Sequence, residues 1–250
     1  MTPRTEIESY LNTLLEVGKF RDYGPNGLQV EGKDGVGKVV SGVTASLAFI
    51  EAAVAQQADA VLVHHGLFWK GYEGRITGWM KKRIELLLTH QINLFAYHLP
   101  LDAHPHLGNN AQFGHRLKFS ADARFGDQDL GFIGTPSQPL TTAGLGALLK
   151  FRLNRDPVVV DGAPGRQIRR VAWCTGGAQG YFEGAIAAGA DAYITGEISE
   201  PQAHLARETG VAFFACGHHA SERYGAPALG AHIAEKFGLV HEFIEIDNPA

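Results

Sequence analysis

Short apolar runs that stop at imidazole or carboxylate residues constrain this chain most. Val61-Leu62-Val63 stops at His64-His65-Gly66, a second run ends in His98-Leu99-Pro100-Leu101-Asp102, and a third leads into Gly217-His218-His219-Ala220-Ser221-Glu222. Around them, strand and helix patterns alternate: Val39 to Val43, Ala48 to Gln57, Ala60 to Val63, Ile76 to Thr89, Ile92 to Tyr97 and Asn110 to Leu117. Buried strands joined by helices imply an α/β layer with a largely parallel sheet, because parallel neighbours need a crossover connection. A helix capped by Thr5 is expected before this layer, then a turn-rich loop over Tyr23-Gly24-Pro25-Asn26-Gly27-Leu28-Gln29-Val30.

The pattern changes over roughly Ala121 to Arg169, which predicts one helix from Thr142 to Phe151 and a strand from Val158 to Val160. From Arg170 the alternation returns: a strand to Cys174, a helix over Gly180 to Ala188 and a strand over Ala192 to Thr195. A helix over Pro201 to Thr209, a strand over Val211 to Cys216, a helix ending near Phe237 and a strand over Val240 to Ile246 follow. The expected organisation is two similar α/β lobes, 1–120 and 121–250, with the C-terminal segment able to pack back on the first. A weak internal repeat supports related lobes. Glu51 to Val63 and Glu183 to Thr195 both read as helix, Ala-Asp-Ala turn and buried strand, with His64-His65 opposite Gly196-Glu197. Chance or convergence explains such a repeat as readily as duplication.

A formal net charge of -4 argues against general nucleic-acid binding and against docking on an anionic membrane. No apolar stretch approaches the ~18 residues of a membrane span, and the first residues lead into an amphipathic helix rather than a signal peptide. Cys174 and Cys216 lack C-x-x-C spacing and read as buried reduced thiols, which points to the cytoplasm.

In open α/β sheets, ligands collect beyond the carboxyl ends of the strands, where these His, Asp and Glu residues fall. A nitrogen-and-oxygen donor set suits zinc, iron or manganese better than thiolate-selected metals. Five donors, His64, His65, Asp102, His218 and Glu222, suit two divalent ions better than one. His218 and Glu222 share a face if one helical turn carries them, whereas Pro100 forbids that inference for His98 and Asp102. Any one of these histidines alone reads more simply as a hydrogen-bonded packing residue. Asp102 alone reads as a cap, and Glu222 as a solvated carboxylate. His98 and His219 read equally as ligands or as partners that orient ligands. His104, His106 and His115 read as surface or packing residues.

At these residues the chain resembles the NIF-three-like dinuclear metal proteins, known as GTP cyclohydrolase 1 type 2 homologues. The resemblance runs through Asn26-Gly27-Leu28-Gln29-Val30-Glu31-Gly32, His64-His65-Gly66 with Phe68-Trp69-Lys70, and His98 to Asp102. It continues through Gly176-Gly177-Ala178, Asp191 to Glu197, and Gly217-His218-His219 to Glu222-Arg223. It implies a two-lobe α/β fold, a homohexameric toroid, and a two-metal site with His64, His65, Asp102, His218 and Glu222 as ligands.

The leading expectation is a metal-dependent hydrolase acting on a small-molecule substrate, a nucleotide, with GTP ring opening suggested by the resemblance. Asp102 and Glu222 are the catalytic carboxylates, placed to bridge the ions, and His98 or Glu197 could carry protons. Trp69 reads either as a purine-stacking ring or as a core residue. Two alternatives stay open: a phosphoesterase or amidohydrolase on another substrate, and a non-catalytic metal-handling or scaffold ring.

Overall fold

The computed structural model describes residues 1–250. Two compact units emerge: Met1–Gly108 with Arg223–Asp247 (unit 1), and Asn109–Glu222 with Asn248–Ala250 (unit 2). Each is a mixed α/β assembly around its own sheet.

The unit 1 sheet runs Val240–Phe243, Lys38–Thr44, Ala60–His65, Asn93–Ala96, Gly27–Val30. The first four strands are parallel and the last is antiparallel. Strand side chains alternate between faces, and here both faces are covered. Val40, Val61, Val63, Leu94 and Ala96 pack with Phe49, Ile50, Met80, Ile84 and Leu87 from helices Leu47–Ala55 and Gly78–Thr89. Val39, Ala60, Leu62 and Phe95 pack with Ile7, Leu11, Leu229 and Ile233 from helices Arg4–Leu14 and Gly225–Phe237. Burial of one such side chain, the inaccessible Leu62 for example, contributes roughly 1.5–3 kcal/mol.

Two sequence expectations change here. Helix Arg4–Leu14 starts after Pro3, so Thr5 lies inside the first turn and caps nothing. Thr2–Pro3 pairs with Gly35–Val36, and that pairing sets the start of the helix. Part of the predicted loop, Gly27–Val30, is an edge strand, because Gly27 and Leu28 find partners in Ala96 and Phe95. Tertiary pairing overrides its turn-rich composition.

The unit 2 sheet runs Phe119–Phe125, Gly131–Pro136, Val171–Trp173, Ala192–Thr195, Ala212–Ala215, Val158–Val160. Its inner three strands are parallel, and their flanking partners are antiparallel. The first two strands form a hairpin that the hydrophobic pattern does not reveal. Its first strand is largely exposed, and its register shifts between Ala121 and Ala123. The core is aromatic: Phe182 lies 5.0 Å from Phe213 and 5.8 Å from Tyr193, ring centre to ring centre.

The internal repeat has a physical counterpart. Asp59 precedes one central strand, and its Oδ2 accepts from the amides of Gly37 (2.6 Å) and Lys38 (2.9 Å). Asp191 precedes the other, and its Oδ2 accepts from the amides of Arg169 and Arg170, both at 2.9 Å. In each unit the Ala-Asp-Ala turn ties the start of the central strand to the start of its parallel neighbour. No helix of the protein is long and apolar enough to cross a membrane.

Candidate metal centre

In unit 1 the donors stand where the parallel strands end. His64 and His65 are the last residues of Ala60–His65, and Thr44 sits opposite His65 in the adjacent strand. His98 caps a five-residue helix, Leu99–Ala103, that carries Asp102 and accommodates Pro100 in its first turn. Sequence spacing could not license a shared direction for His98 and Asp102; in the fold each lies by His64, the His98 ring centre 5.0 Å from that of His64. One nitrogen each from His64, His65 and His98 lies within 4.8 Å of the others. His64 is fully buried and Asp102 nearly so, with His64 Nε2 3.5 Å from Asp102 Oδ1.

The outward nitrogens of these rings are all engaged. His64 Nδ1–H donates to the Tyr97 carbonyl at 3.0 Å, and the Thr44 hydroxyl lies 3.2 Å from His65 Nδ1. His98 Nδ1–H donates to Asp22 Oδ1 at 2.7 Å. Each ring therefore offers Nε2 inward, the arrangement that outer partners impose on metal-ligating imidazoles. Burial alone would raise the Asp22 carboxyl. Hydrogen bonds and charge from His98, with hydrogen bonds from Asn26 and the Tyr23 amide, hold it below its ordinary value.

Sequence reasoning missed Asp22 and the role of its loop. Asn26 Nδ2 donates to Asp22 Oδ2 (2.8 Å), as does the Leu99 amide (2.9 Å), while Asn26 Oδ1 accepts the His98 amide (2.7 Å). Gln29 Oε1 accepts the Leu67 amide at 2.8 Å and so braces the turn after the His pair. The Asn26-Gly27-Leu28-Gln29 motif, read as a turn and as part of the family resemblance, was the available signal, and it carried no pairing with His98. Trp69 is half-buried and stands edge-on to His98, with centroids 5.0 Å apart.

Unit 2 carries its donors in the same way. Ala212–Ala215 leads through Cys216 and Gly217 into the short helix His218–Glu222. That helix brings His218 Nε2 within 3.0 Å of Glu222 Oε2, as the four-residue spacing predicts. His218 Nδ1 is 2.6 Å from Glu197 Oε1, just past the central strand. Glu222 is 3% exposed. The His218 pKa is pushed up to about 9, first by its hydrogen bond to Glu222, partly opposed by burial, then by the charge of Glu222 and by Glu197. Gly176 has φ +72°, and a Cβ there would collide with the Glu222 carboxylate. A Cβ at Gly196 would lie 2.6 Å from the His218 Cα. Glycine at both places lets the loops close around the donors.

These donors fit a divalent cation. Imidazole nitrogens and buried carboxylates converge, their outer nitrogens are held, and no thiol takes part. Cys174 and Cys216 are buried, and burial pushes the Cys216 thiol well up, away from a reactive state. His219 is buried on the same short helix and donates its amide to the Ala250 carbonyl. His104 Nδ1 accepts the amides of His106 (3.2 Å) and Leu107 (3.0 Å), which is a turn-capping role.

The Duf34/NIF3 (NGG1p interacting factor 3) family profile matches residues 2–249. A protein of Neisseria meningitidis serogroup A named GTP cyclohydrolase 1 type 2 homolog is 54% identical over 250 residues, covering all of both chains. A Pseudomonas aeruginosa protein of the same name is 48% identical over 239 residues, 94% of each chain. Among solved structures, one described as protein ybgI of unknown function superposes with a TM-score of 0.96 at 46% identity over all of both chains. The protein TTHA1606 from Thermus thermophilus superposes at 0.91 with 32% identity, again over all of both chains.

Proposed function

This chain belongs to the Duf34/NIF3 family, and from that premise we propose that it is a metal-dependent hydrolase acting on a nucleotide, with GTP the first candidate. His64, His65 and Asp102 in unit 1 and His218 and Glu222 in unit 2 would hold two divalent ions, zinc, iron or manganese. The observation that carries this reading is the inward presentation of imidazole nitrogens at the strand ends, with Asp102 and Glu222 as buried carboxylates. Such ions supply Lewis acidity and make water a nucleophile near neutral pH. The protein's own groups do the rest. Tyr97 and Thr44 fix the ring planes of His64 and His65, and Glu197 holds a proton at His218 Nδ1. Glu222 meets His218 on the other ring nitrogen, so the short helix presents an imidazole and a carboxylate together. The names of the relatives point to GTP ring opening, a reaction that releases formate.

The test is formate release from GTP by protein loaded separately with zinc, manganese or ferrous iron. Turnover with one metal, abolished in Glu222→Ala, is the expected outcome. No formate with any metal, despite bound ions, sinks the reading.

A further inference from the structure

His98 stands outside the five-donor set, yet its ring is one of three imidazoles whose donor atoms converge in unit 1. Its surroundings are more elaborate than packing requires. Asp22 Oδ2 already accepts the Leu99 amide and the Asn26 side chain, which accounts for the loop's attachment to the helix. Oδ1 is directed instead at His98 Nδ1 at 2.7 Å, and Asn26 Oδ1 pins the His98 amide. The 22–26 loop thus fixes the backbone, the ring plane and the tautomer of this one histidine.

Unit 2 supplies an independent instance of the same construction. His218 also follows the outermost inner parallel strand of its sheet, and it is also followed four residues on by a carboxylate. Its Nδ1 is likewise held by an outer carboxylate, Glu197 at 2.6 Å. A carboxylate on Nδ1 orients an imidazole and makes Nε2 a stronger electron-pair donor. We infer that His98 is a further imidazole metal ligand at the strand ends of unit 1, and that Asp22 is the positioning residue that presents its Nε2. The inference rests on the divalent-metal part of the reading above, and binding measurements let it fail separately from hydrolysis.

The experiment is zinc titration of the full chain against a chromophoric chelator, with X-ray absorption to count imidazoles per bound zinc. Asp22→Asn keeps the shape of the side chain but cannot accept at once from His98 Nδ1, Leu99 N and Asn26 Nδ2. Both Asp22→Asn and His98→Gln should weaken one zinc by about 10–100-fold. His98→Gln should also lower the imidazole count, and ¹⁵N shifts of metal-free Asp22→Asn should show His98 leaving the Nδ1–H form. Wild-type affinity and imidazole count in His98→Gln overturn the ligand assignment. Weaker binding in Asp22→Asn with the His98 tautomer unchanged overturns the positioning role. If Asp22→Asn does not fold, His98→Gln decides the ligand assignment, and Asp22→Glu, which keeps the acceptor, decides the positioning role by the same tautomer and affinity readouts.

Discussion

The two units solve one problem with different means. Each has inner parallel strands, an Asp that ties the central strand to its neighbour, and a five-residue helix carrying an acid four residues beyond a His. They diverge at the end of the central strand. Unit 1 places His64-His65 there, whereas unit 2 places Gly196-Glu197, whose carboxylate orients His218. With its central strand end given over to donors, unit 1 recruits the orienting carboxylate from elsewhere: Asp22, on a loop outside the repeated segment. A repeated scaffold therefore fixes where a donor helix stands, while the source of the group behind the donor is free to differ.

If each unit is built on its own core, equivalent damage should stay local. Leu62 and Ile194 occupy inner strands of the two sheets at 0% and 1% exposure. Leu62→Ala and Ile194→Ala should each cost about 2–5 kcal/mol by denaturant unfolding. Hydrogen exchange should place the lost protection in the mutated unit's strands. Equal loosening of both sheets by either variant would break the comparison.

A smaller effect concerns the loop that only unit 2 needs. Gly176→Ala puts a Cβ on a φ of +72° and against the Glu222 carboxylate, so a loss of about 1–3 kcal/mol is expected. Zinc affinity should fall with it, since Glu222 must move. An alanine variant with unchanged stability and affinity would show that this loop does not hold the carboxylate.

The smallest effect is a pH dependence of the metal-free protein. The His218 pKa in the fold, about 9, lies above its ordinary value of 6.5. The stabilisation from its carboxylate partners is therefore fully present below pH 6.5 and is lost as pH rises through about 9. Glu197→Gln should be less stable than the native chain at about pH 6.5, by thermal melting with chelator present, and the gap should close by about pH 9.5. A gap that widens with pH would reverse the assignment. Because a ligating imidazole must lose its proton, metal uptake here should release protons at neutral pH.

Much of this protein was legible in residue order. Apolar runs of strand length separated by helical spacing announce a parallel α/β sheet, and the position of the His, Asp and Glu residues at their ends marks the candidate centre. The four-residue step from His218 to Glu222 gave their shared face through helix geometry alone. Other features are set by contacts between segments far apart in the chain. The exposed hairpin Phe119–Phe125 with Gly131–Pro136 has too little apolar alternation to declare itself, and Gly27–Val30 becomes a strand only because Asn93–Ala96 offers it an edge. Asp22 lies 76 residues from His98, and no local pattern relates them. Periodicity along the chain records which face of an element is buried, because burial repeats with the backbone. Which carboxylate meets which imidazole nitrogen has no period, so only the folded packing decided it.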